Sequence, residues 1–194
     1  DYLQNANGLG LRYYQIDAIK AVESKIINNP DDKRSLLVMA TGTGKTRTTI
    51  GLAYRLIKSD RFKRILFLTD RRLLASQALG SFKDNKVEEI NTFANIYKME
   101  EMKNVFPESE TRLHFATVQS MVKRLFYSND SILPIDTYDC IIIDEAHRGY
   151  NLDKEINEED LLFKDENDYV GQYKRVIEYF NAYIIGLTAT PALH

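Results

Sequence analysis

The stretch VMATGTGKTRT, Val38 to Thr48, decides the fold because it joins the end of an apolar run to a glycine-rich turn and the start of a helical pattern. A strand that ends in such a turn and opens a helix aims backbone N–H groups and the positive helix end at a phosphate group. Met39 stands where the G-x-x-x-x-G-K-T pattern has its first glycine. Because Met39 belongs to the preceding strand, its side chain need not touch a phosphate, and the stretch predicts a nucleotide site.

The predicted phosphate loop covers residues 40–46. Gly42 and Gly44 permit backbone geometry that a side chain would obstruct. Lys45 would reach the β- and γ-phosphates and assist catalysis, and the Thr46 hydroxyl would bind Mg²⁺. The nucleotide-binding residues predicted here are Thr41, Gly42, Thr43, Gly44, Lys45 and Thr46. The alternative is a glycine turn with a purely structural role.

An acidic pair follows a second buried strand, in CIIIDEAH, whose DEAH part covers 144–147. Open α/β sheets bind ligands at the carboxyl ends of their strands, so the apolar run carries Asp144 to the edge where the loop lies. Asp144 would hold Mg²⁺. Glu145, expected on the other side of the strand end, would orient and deprotonate the attacking water. His147 is predicted to act as a polar relay, with a metal-ligand role as the alternative.

Helical and strand-like patterns alternate along the chain. The patterns predict helices over 11–29, 46–59, 71–82, 92–104 and 120–127. They predict strands over 35–40, 64–69, 114–119, 138–144 and 183–188. Asp70 is predicted to be the N-cap of the helix over 71–82. Apolar strands joined by helices imply an α/β fold, with a mostly parallel sheet covered by helices on both faces. Residues 1–194 are therefore predicted to form one domain. Its acidic run, about 151–168, is predicted to be a solvated insertion, or else a contact surface for another domain.

The composition limits the class of protein. A content of 44% hydrophobic and 28% charged residues is typical of soluble globular proteins, and no apolar run approaches the roughly 18 residues of a membrane span. The single cysteine, Cys140, predicts a small buried residue in a reducing cytoplasm. The net charge of −2 conceals an uneven distribution of charge along the chain. Residues 1–86 contain 16 Lys and Arg and 8 Asp and Glu, whereas residues 87–194 contain 10 Lys and Arg and 20 Asp and Glu. A basic first half is compatible with nucleic-acid phosphates, or with a solvated helix surface.

The loop and the DEAH sequence together resemble the DEAH-type members of the superfamily 2 helicases and translocases. LRYYQ at 11–15 resembles the adenine-reading motif of that group. This resemblance implies that Gln15 bonds the base edge, that Arg12 or an aromatic side chain packs near it, and that the nucleotide is ATP. The neighbouring Tyr13 and Tyr14, like Phe126 and Tyr127, are predicted to pack in the core rather than to stack on bases.

Three further stretches resemble parts of these motors that contact or move nucleic acid. LFLTDRRLLASQA (66–78) and FATVQSM (115–121) resemble backbone-contacting motifs, and LTATP (187–191), with TAT at 188–190, resembles the motif that links hydrolysis to DNA movement. The implied DNA contacts are Arg71, Arg72, Thr117 and Gln119, with Lys123 and Arg124 as further candidates, and the implied coupling residues are His147, Thr188 and Thr190. Ordinary surface charge is the alternative for the four basic residues.

The sequence in and around these motifs resembles the motor (R) subunit of type I restriction–modification enzymes, and the resemblance extends from Leu11 to His194. The stretches that carry this resemblance are LRYYQ, VMATGTGKTRT, ILFLTDRRLLASQA, DEAHRGYNLD and YKRVIEYFNAYIIGLTATPALH. It implies a RecA-like P-loop NTPase domain, the first of two motor domains, which drives ATP-dependent translocation along double-stranded DNA before cleavage. It also implies methylation and specificity subunits as partners, and an endonuclease domain that residues 1–10 are too few to contain.

The second motor domain of superfamily 2 enzymes contributes an arginine that stabilises the phosphoryl-transfer transition state. Such an arginine is worth about 10³–10⁵ in rate, and the sequence stops just after TPALH at 190–194. Residues 1–194 alone are therefore expected to bind ATP and Mg²⁺ weakly and to hydrolyse ATP very slowly.

Three other functions compete with this one. Within the motor class, the chain would be domain 1 of another superfamily 2 helicase that acts on RNA or repair DNA. A nucleotide-binding switch such as a GTPase is the second alternative, because KDNKVEE (83–89) nearly matches the guanine-reading N-K-x-D. A nucleotide-free DNA-binding module is the third, and Lys45 and Glu145 argue against it.

Overall fold

The computed structural model describes residues 3–4, 8–88, 91–101, 107–128, 133–149 and 166–189. The α-helices within these ranges are α1 (Tyr13–Asn28), α2 (Lys45–Lys58), α3 (Arg72–Asp84), α4 (Phe93–Ile96), α5 (Val118–Val122) and α6 (Glu166–Tyr179). The strands are β1 (Arg34–Val38), β2 (Ile65–Thr69), β3 (Lys86–Glu88), β4 (Asn91–Thr92), β5 (Lys98–Glu101), β6 (Thr111–Thr117), β7 (Cys140–Ile143) and β8 (Tyr183–Thr188). A π-helical turn at Lys123–Tyr127 continues α5, and a 3₁₀ helix at Ala146–Gly149 follows β7. Among the described helices, none combines the length and apolar character that a membrane crossing requires.

Six of the described strands form one sheet in the order β1-β8-β7-β2-β6-β5, and each neighbouring pair is parallel. The predicted parallel sheet is therefore confirmed. Because these strands run the same way, their carboxyl ends meet at one edge, where open sheets bind ligands. The register brings the strand ends level, since Val38 pairs with Thr188 and Ile143 pairs with Gly186. Strands β3 and β4 form a separate antiparallel pair.

Helices cover both faces of the sheet because its central strands are apolar on both sides. Along β2, Ile65 and Phe67 pack into the layer that includes α1, α2 and α3, whereas Leu66 and Leu68 pack into the layer that includes α5 and α6. The residues of β7 alternate between the same two layers. Cys140 is fully buried, as predicted. The α/β architecture with helices on both faces is thus confirmed.

The helix predicted over 92–104 is wrong. Within the described part of this stretch, residues 92–101, only Phe93–Ile96 is helical, and Lys98–Glu101 forms the edge strand β5. Pairing with β6 overrides the helix-forming preference of lysine, methionine and glutamate in this segment. The short helix is anchored because the Phe93 ring packs edge-on against the Phe82 ring, with centroids 5.1 Å apart.

Asp70 is not the N-cap residue of α3, contrary to the prediction. The helix begins one residue later than expected, and Arg71 occupies the N-cap position without a side-chain capping hydrogen bond. The Asp70 side chain is instead buried, with its carboxylate 3.8 Å from the Arg71 guanidinium. The predicted acidic insertion lies outside the described residues up to position 165, and its last three residues form the start of α6.

We predict that Leu37→Ala lowers the free energy of unfolding by about 2–4 kcal/mol, because Leu37 is buried in the layer of α1 and α2 and its truncation leaves a cavity. Leu36→Ala is the matched control on the opposite face of β1, where the side chain is 56% exposed. Leu36→Ala should lower the free energy of unfolding by less than about 1 kcal/mol. Urea denaturation measures both values, and equal losses would contradict this placement of β1.

A buried polar pair joins β6 to the residues that precede β7. His114 Nδ1 lies 2.5 Å from the Tyr138 hydroxyl, and both side chains are almost fully buried. Burial lowers the pKa of His114 to about 4 and raises the pKa of Tyr138. Both side chains are therefore neutral in the folded protein at pH 7.

The stability of the fold should fall as the pH drops from 6.5 to 4. In this window the unfolded chain binds a proton at His114 and the folded chain does not, so a lower pH favours unfolding. The loss should reach about 3 kcal/mol by pH 4. Urea denaturation at several pH values measures it. His114→Asn cannot take up the proton and should remove this component, so an unchanged pH dependence in that variant would rule out His114 as its source.

Candidate nucleotide-binding site

The phosphate loop and the acidic pair meet at the carboxyl edge of the sheet. The loop follows β1, the acids follow β7, and β8 lies between these two strands. The Lys45 ammonium, at the start of α2, lies 2.5 Å from Glu145 Oε1 and 3.2 Å from Asp144 Oδ1. Residues 100 positions apart in the chain are thus in direct contact.

The loop has the backbone geometry that its glycines permit. Gly42 and Gly44 have φ angles of 80° and 84°, in the left-handed region that side chains rarely adopt. The Thr43 hydroxyl and the Thr43 N–H both donate to the Ala40 carbonyl and close the turn. Met39 is buried and its N–H continues the hydrogen bonding to β8, so its side chain is in the core and leaves the loop intact, as predicted.

Helix α1 holds the loop through two side chains. The Gln15 Nε2 group donates to the carbonyls of Thr43, at 3.1 Å, and Gly44, at 3.2 Å, and its Oε1 accepts the Arg12 N–H at 2.8 Å. The Tyr14 hydroxyl donates to the same Thr43 carbonyl at 3.1 Å. Gln15 is buried, and Arg12 is exposed. Tyr14, predicted only as a packing residue, belongs to this contact because it adjoins Gln15 in the first turn of α1.

Glu145 departs from the predicted arrangement. The sequence places it on the opposite side of the strand end from Asp144, but both carboxylates contact the Lys45 ammonium. The cause is the backbone, because Glu145 has a left-handed φ of 50° and the alternation of strand side chains ends there. The Asp144 carboxylate accepts the Glu145 N–H at 3.0 Å and stabilises this turn. Such a conformation costs about 1–2 kcal/mol, and strain of this kind concentrates at functional sites.

The charge of Lys45 is secured by its two partners. Partial burial acts to lower the pKa of Lys45, but the hydrogen bond to Glu145 and the negative charges of Asp144 and Glu145 outweigh it. The pKa of Lys45 is therefore raised. The side chain remains a cation at pH 7, as phosphate binding requires.

Thr46 and Asp144 supply hard oxygen donors, which Mg²⁺ prefers. Thr46 is exposed, and the Asp144 side chain is 22% exposed. A cavity of about 560 Å³ opens beside them and is lined by Lys45, Thr46, Asp144 and Glu145 together with residues of α3. Mg²⁺ at such sites keeps several waters and takes one or two carboxylates plus substrate phosphates, so these two donors fit the ion.

His147 connects the acidic pair to β8. Its Nδ1 lies 2.9 Å from the Thr188 hydroxyl and 3.3 Å from Glu145 Oε2. The contact with Thr188 has the geometry of the predicted relay, whereas Thr190 lies outside the described residues. The contact with Glu145 was not predicted, because it depends on the left-handed turn at that residue. Within the described part of the chain there is no group of three metal-binding side chains.

The candidate DNA contacts differ in accessibility. Arg71 and Arg72 are exposed at the start of α3, on the same edge of the sheet as the loop. Thr117 is buried, and its hydroxyl accepts the Ser120 N–H as the N-cap of α5. Gln119 is half-buried. The arginines at α3 are therefore the most accessible of the four predicted contacts.

Several predictions for side chains near these elements are corrected by burial. Arg124 is 7% exposed, so it is not available as a surface contact for phosphate, whereas Lys123 is exposed. Tyr13 and Tyr127 are 77% and 58% exposed, so neither is the core residue that was predicted. In each case the prediction failed because a residue type does not determine which side of a helix faces the sheet.

The near match to a guanine-reading motif lies far from the loop. Its Glu88 forms an ion pair with Lys58, the last residue of α2, whereas the loop precedes the first residue of that helix. A helix of 14 residues is about 20 Å long. A base attached to phosphates at the loop would therefore have to span the helix to reach Glu88, which disfavours the GTPase alternative.

A second groove, of about 690 Å³, lies between β1 and α6 and reaches His147 and Thr188. It is larger than the cavity beside Lys45, but its lining is mainly apolar and includes Leu36, Tyr173 and Ile177. The groove lacks the loop, the lysine and the acidic pair. The chemistry for a nucleotide therefore lies in the smaller cavity.

Comparison with known proteins identifies the family. A family model described as "Type III restriction enzyme, res subunit" matches residues 8–193. The chain belongs to this family. It is also 54% identical, over 96% of its length, to the type I restriction enzyme EcoKI endonuclease subunit of Escherichia coli (strain K12). The predicted likeness to type I restriction subunits is thus confirmed, and the chain spans 16% of the length of that relative.

Solved structures share the fold of this restriction-subunit family member. A Sulfolobus solfataricus SWI2/SNF2 ATPase core in complex with dsDNA has a TM-score of 0.63 and 17% identity, covering 93% of this chain and 32% of its own. The ATP-dependent type ISP restriction-modification enzyme LlaBIII bound to DNA has a TM-score of 0.62 and 21% identity, covering 93% of this chain and 13% of its own. These likenesses confirm the predicted RecA-like fold.

Gly44→Ala should weaken MgATP binding more than Gly42→Ala does. Both glycines have a left-handed φ, so both variants incur similar backbone strain. A Cβ at Gly44 would also lie 2.4 Å from Gln15 Nε2, whereas a Cβ at Gly42 would meet nothing within 4 Å. Displacing Gln15 removes hydrogen bonds to the loop. We therefore expect the loss of MgATP affinity in Gly44→Ala to be about tenfold greater than in Gly42→Ala, as measured by titration calorimetry. Equal losses would contradict the close packing of Gln15 on the loop.

Proposed function

We propose that this chain is the ATP-binding and ATP-hydrolysing motor domain of a type I restriction enzyme R subunit, and that it drives translocation along double-stranded DNA before cleavage. The observation that carries the proposal is the contact of Lys45 with Asp144 and Glu145. This contact gathers a phosphate-binding cation, a Mg²⁺ ligand and a general base at one sheet edge. Membership of a restriction-subunit family supports the same conclusion.

Nucleotide binding would exchange the partners of Lys45. Backbone N–H groups of the loop and the start of α2 would receive the phosphates, and the Lys45 ammonium would leave the two carboxylates for the β- and γ-phosphate oxygens. When bound by Thr46 and Asp144, Mg²⁺ supplies neutralisation of phosphate charge. Glu145, released from Lys45, would take a proton from water as the water oxygen bonds to the γ-phosphorus and the bond to the bridging oxygen breaks.

The amide of Gln15 suits adenine better than guanine. Both Nε2 hydrogens are used by loop carbonyls, and Oε1 keeps one acceptor position beyond the Arg12 N–H. An acceptor matches the exocyclic amine of adenine and opposes the carbonyl oxygen of guanine. We therefore propose ATP as the nucleotide, with Arg12 beside the base.

The contacts that run from Lys45 to Thr188 would transmit to β8 whether a nucleotide is bound at the site. Glu145 contacts Lys45 through Oε1 and His147 through Oε2, and His147 contacts the Thr188 hydroxyl. Loss of the Lys45 contact on nucleotide binding would let Glu145 shift, and His147 would follow it. Thr188 ends β8 and begins the segment that the sequence links to DNA movement, in which Thr190 is the other proposed coupling residue.

Double-stranded DNA is the proposed track for the motor. Two structural neighbours are described as bound to DNA, and Arg71 and Arg72 are exposed on the edge that carries the nucleotide site. Thr117 and Gln119 would add contacts with the DNA backbone.

We also propose methylation and specificity subunits as protein partners, a cytoplasmic location, and slow ATP hydrolysis by residues 1–194 alone. A superfamily 2 helicase for RNA or repair DNA would share the site, but relatives at 54% and 34% identity are restriction endonuclease subunits.

Glu145→Gln in the full-length subunit should preserve MgATP binding and lower DNA-stimulated ATP hydrolysis by about 10²–10⁴-fold, because it keeps the shape and removes the base. Lys45→Ala should weaken MgATP binding itself. Nucleotide titration and phosphate release with double-stranded DNA measure the two effects. Glu110→Gln is the matched control, since Glu110 is exposed and precedes β6 at the opposite edge of the sheet.

The outcomes separate the alternatives. Unchanged hydrolysis in both Glu145→Gln and Lys45→Ala would mean that the catalytic site lies elsewhere. Binding of GTP in preference to ATP would reject the adenine assignment to Gln15. Hydrolysis stimulated by RNA and not by double-stranded DNA would favour the helicase alternative.

A further inference from the structure

Two adjacent tyrosines at the start of α1 have different environments. The Tyr14 hydroxyl donates to the Thr43 carbonyl at 3.1 Å, and Gln15 Nε2 donates to the same oxygen at 3.1 Å. Tyr13 is 77% exposed, and its ring lies edge-on to the Tyr14 ring with centroids 5.6 Å apart. The carbonyl of one loop residue is therefore held by two donors from α1, and only one of them belongs to the residue assigned to the base.

Fixing the Thr43 carbonyl also fixes the N–H that follows it. The described chain has no cis peptide bond, and a trans peptide is planar with its carbonyl and its N–H pointing in opposite directions. When the Thr43 carbonyl faces α1, the Gly44 N–H faces away from α1. That N–H belongs to the glycine-rich turn whose backbone donors cradle phosphate in loops of this kind.

Gln15 alone would hold this peptide less firmly. Its Nε2 group is shared between the carbonyls of Thr43 and Gly44. An adenine base that bonds Oε1 would act on the same planar amide, and a rotation of the amide toward the base would weaken the Nε2 hydrogen bonds to the loop. The Tyr14 hydroxyl bonds only the loop side and would keep the Thr43 peptide in place.

We propose that Tyr14 is a positioning residue for phosphate binding, whose hydroxyl holds the Thr43 peptide so that the Gly44 N–H is aimed at the phosphates of the nucleotide before it binds. This inference rests on the proposed function, because it assumes that the loop binds a triphosphate. A loop that is already ordered loses less conformational entropy on binding, and the affinity is higher for that reason.

The test uses Tyr14→Phe and Tyr13→Phe in the full-length subunit, since each substitution removes one hydroxyl and keeps the ring. The probes are MgATP, inorganic triphosphate with Mg²⁺, and adenosine. Tyr14→Phe should weaken the binding of MgATP and of inorganic triphosphate by about 3- to 10-fold, the effect of one lost hydrogen bond. Its affinity for adenosine and its kcat at saturating ATP should stay within about twofold of the wild-type values, a split between KM and kcat that marks ground-state binding. Tyr13→Phe should match the wild type for all three probes.

Other outcomes would overturn the proposal. A loss for adenosine and MgATP without a loss for inorganic triphosphate would mean that Tyr14 acts on the base. Equal affinities in Tyr14→Phe and Tyr13→Phe would mean that the hydroxyl does not position the loop. Failure of the proposed function is distinct, because the wild-type subunit itself would then bind no MgATP.

Discussion

The site depends on one cation held between two carboxylates. Asp144 and Glu145 lie side by side at the end of β7, and two negative charges in partial burial require a positive charge close to them. Lys45 supplies it from the other side of β8, and it can do so because the parallel strands end level at one edge. The same electrostatic demand explains why a divalent ion would take over when Lys45 turns to phosphate.

The sheet was predictable where burial on both faces leaves a continuous apolar run. RILFLT (64–69) and YDCIIID (138–144) are predicted as strands for that reason, and the strands β2 and β7 within them are paired on each side in the structure. Residues 98–101 were not predictable, because lysine, methionine and glutamates favour a helix unless a neighbouring strand offers hydrogen bonds. Whether this segment at the edge of the sheet forms a strand or a helix is decided by its pairing with β6, whose residues lie ten or more positions away in the sequence.

The sequence selects the residues of the candidate site better than it places their side chains. Phosphate binding limits the residue types of a loop to a few, so the sequence alone predicts Gly44, Lys45 and the acidic pair, and the structure brings Lys45 and that pair into contact. The side on which Glu145 lies depends on a left-handed backbone that no local pattern requires of glutamate. Tyrosine packs in cores and also donates hydrogen bonds, so the contact of Tyr14 with the loop becomes visible only when α1 is placed beside β1 and α2.

The two roles proposed for Gln15 limit how the site can be re-engineered. The amide that is proposed to read the base also supports the carbonyls of Thr43 and Gly44. A residue chosen to accept another purine or a pyrimidine would remove that support, and binding of every triphosphate would weaken together. Changing the proposed nucleotide preference therefore calls for a second substitution that restores a donor to the loop. Substitutions at position 15 alone should abolish nucleotide binding more often than they alter the preference for one base.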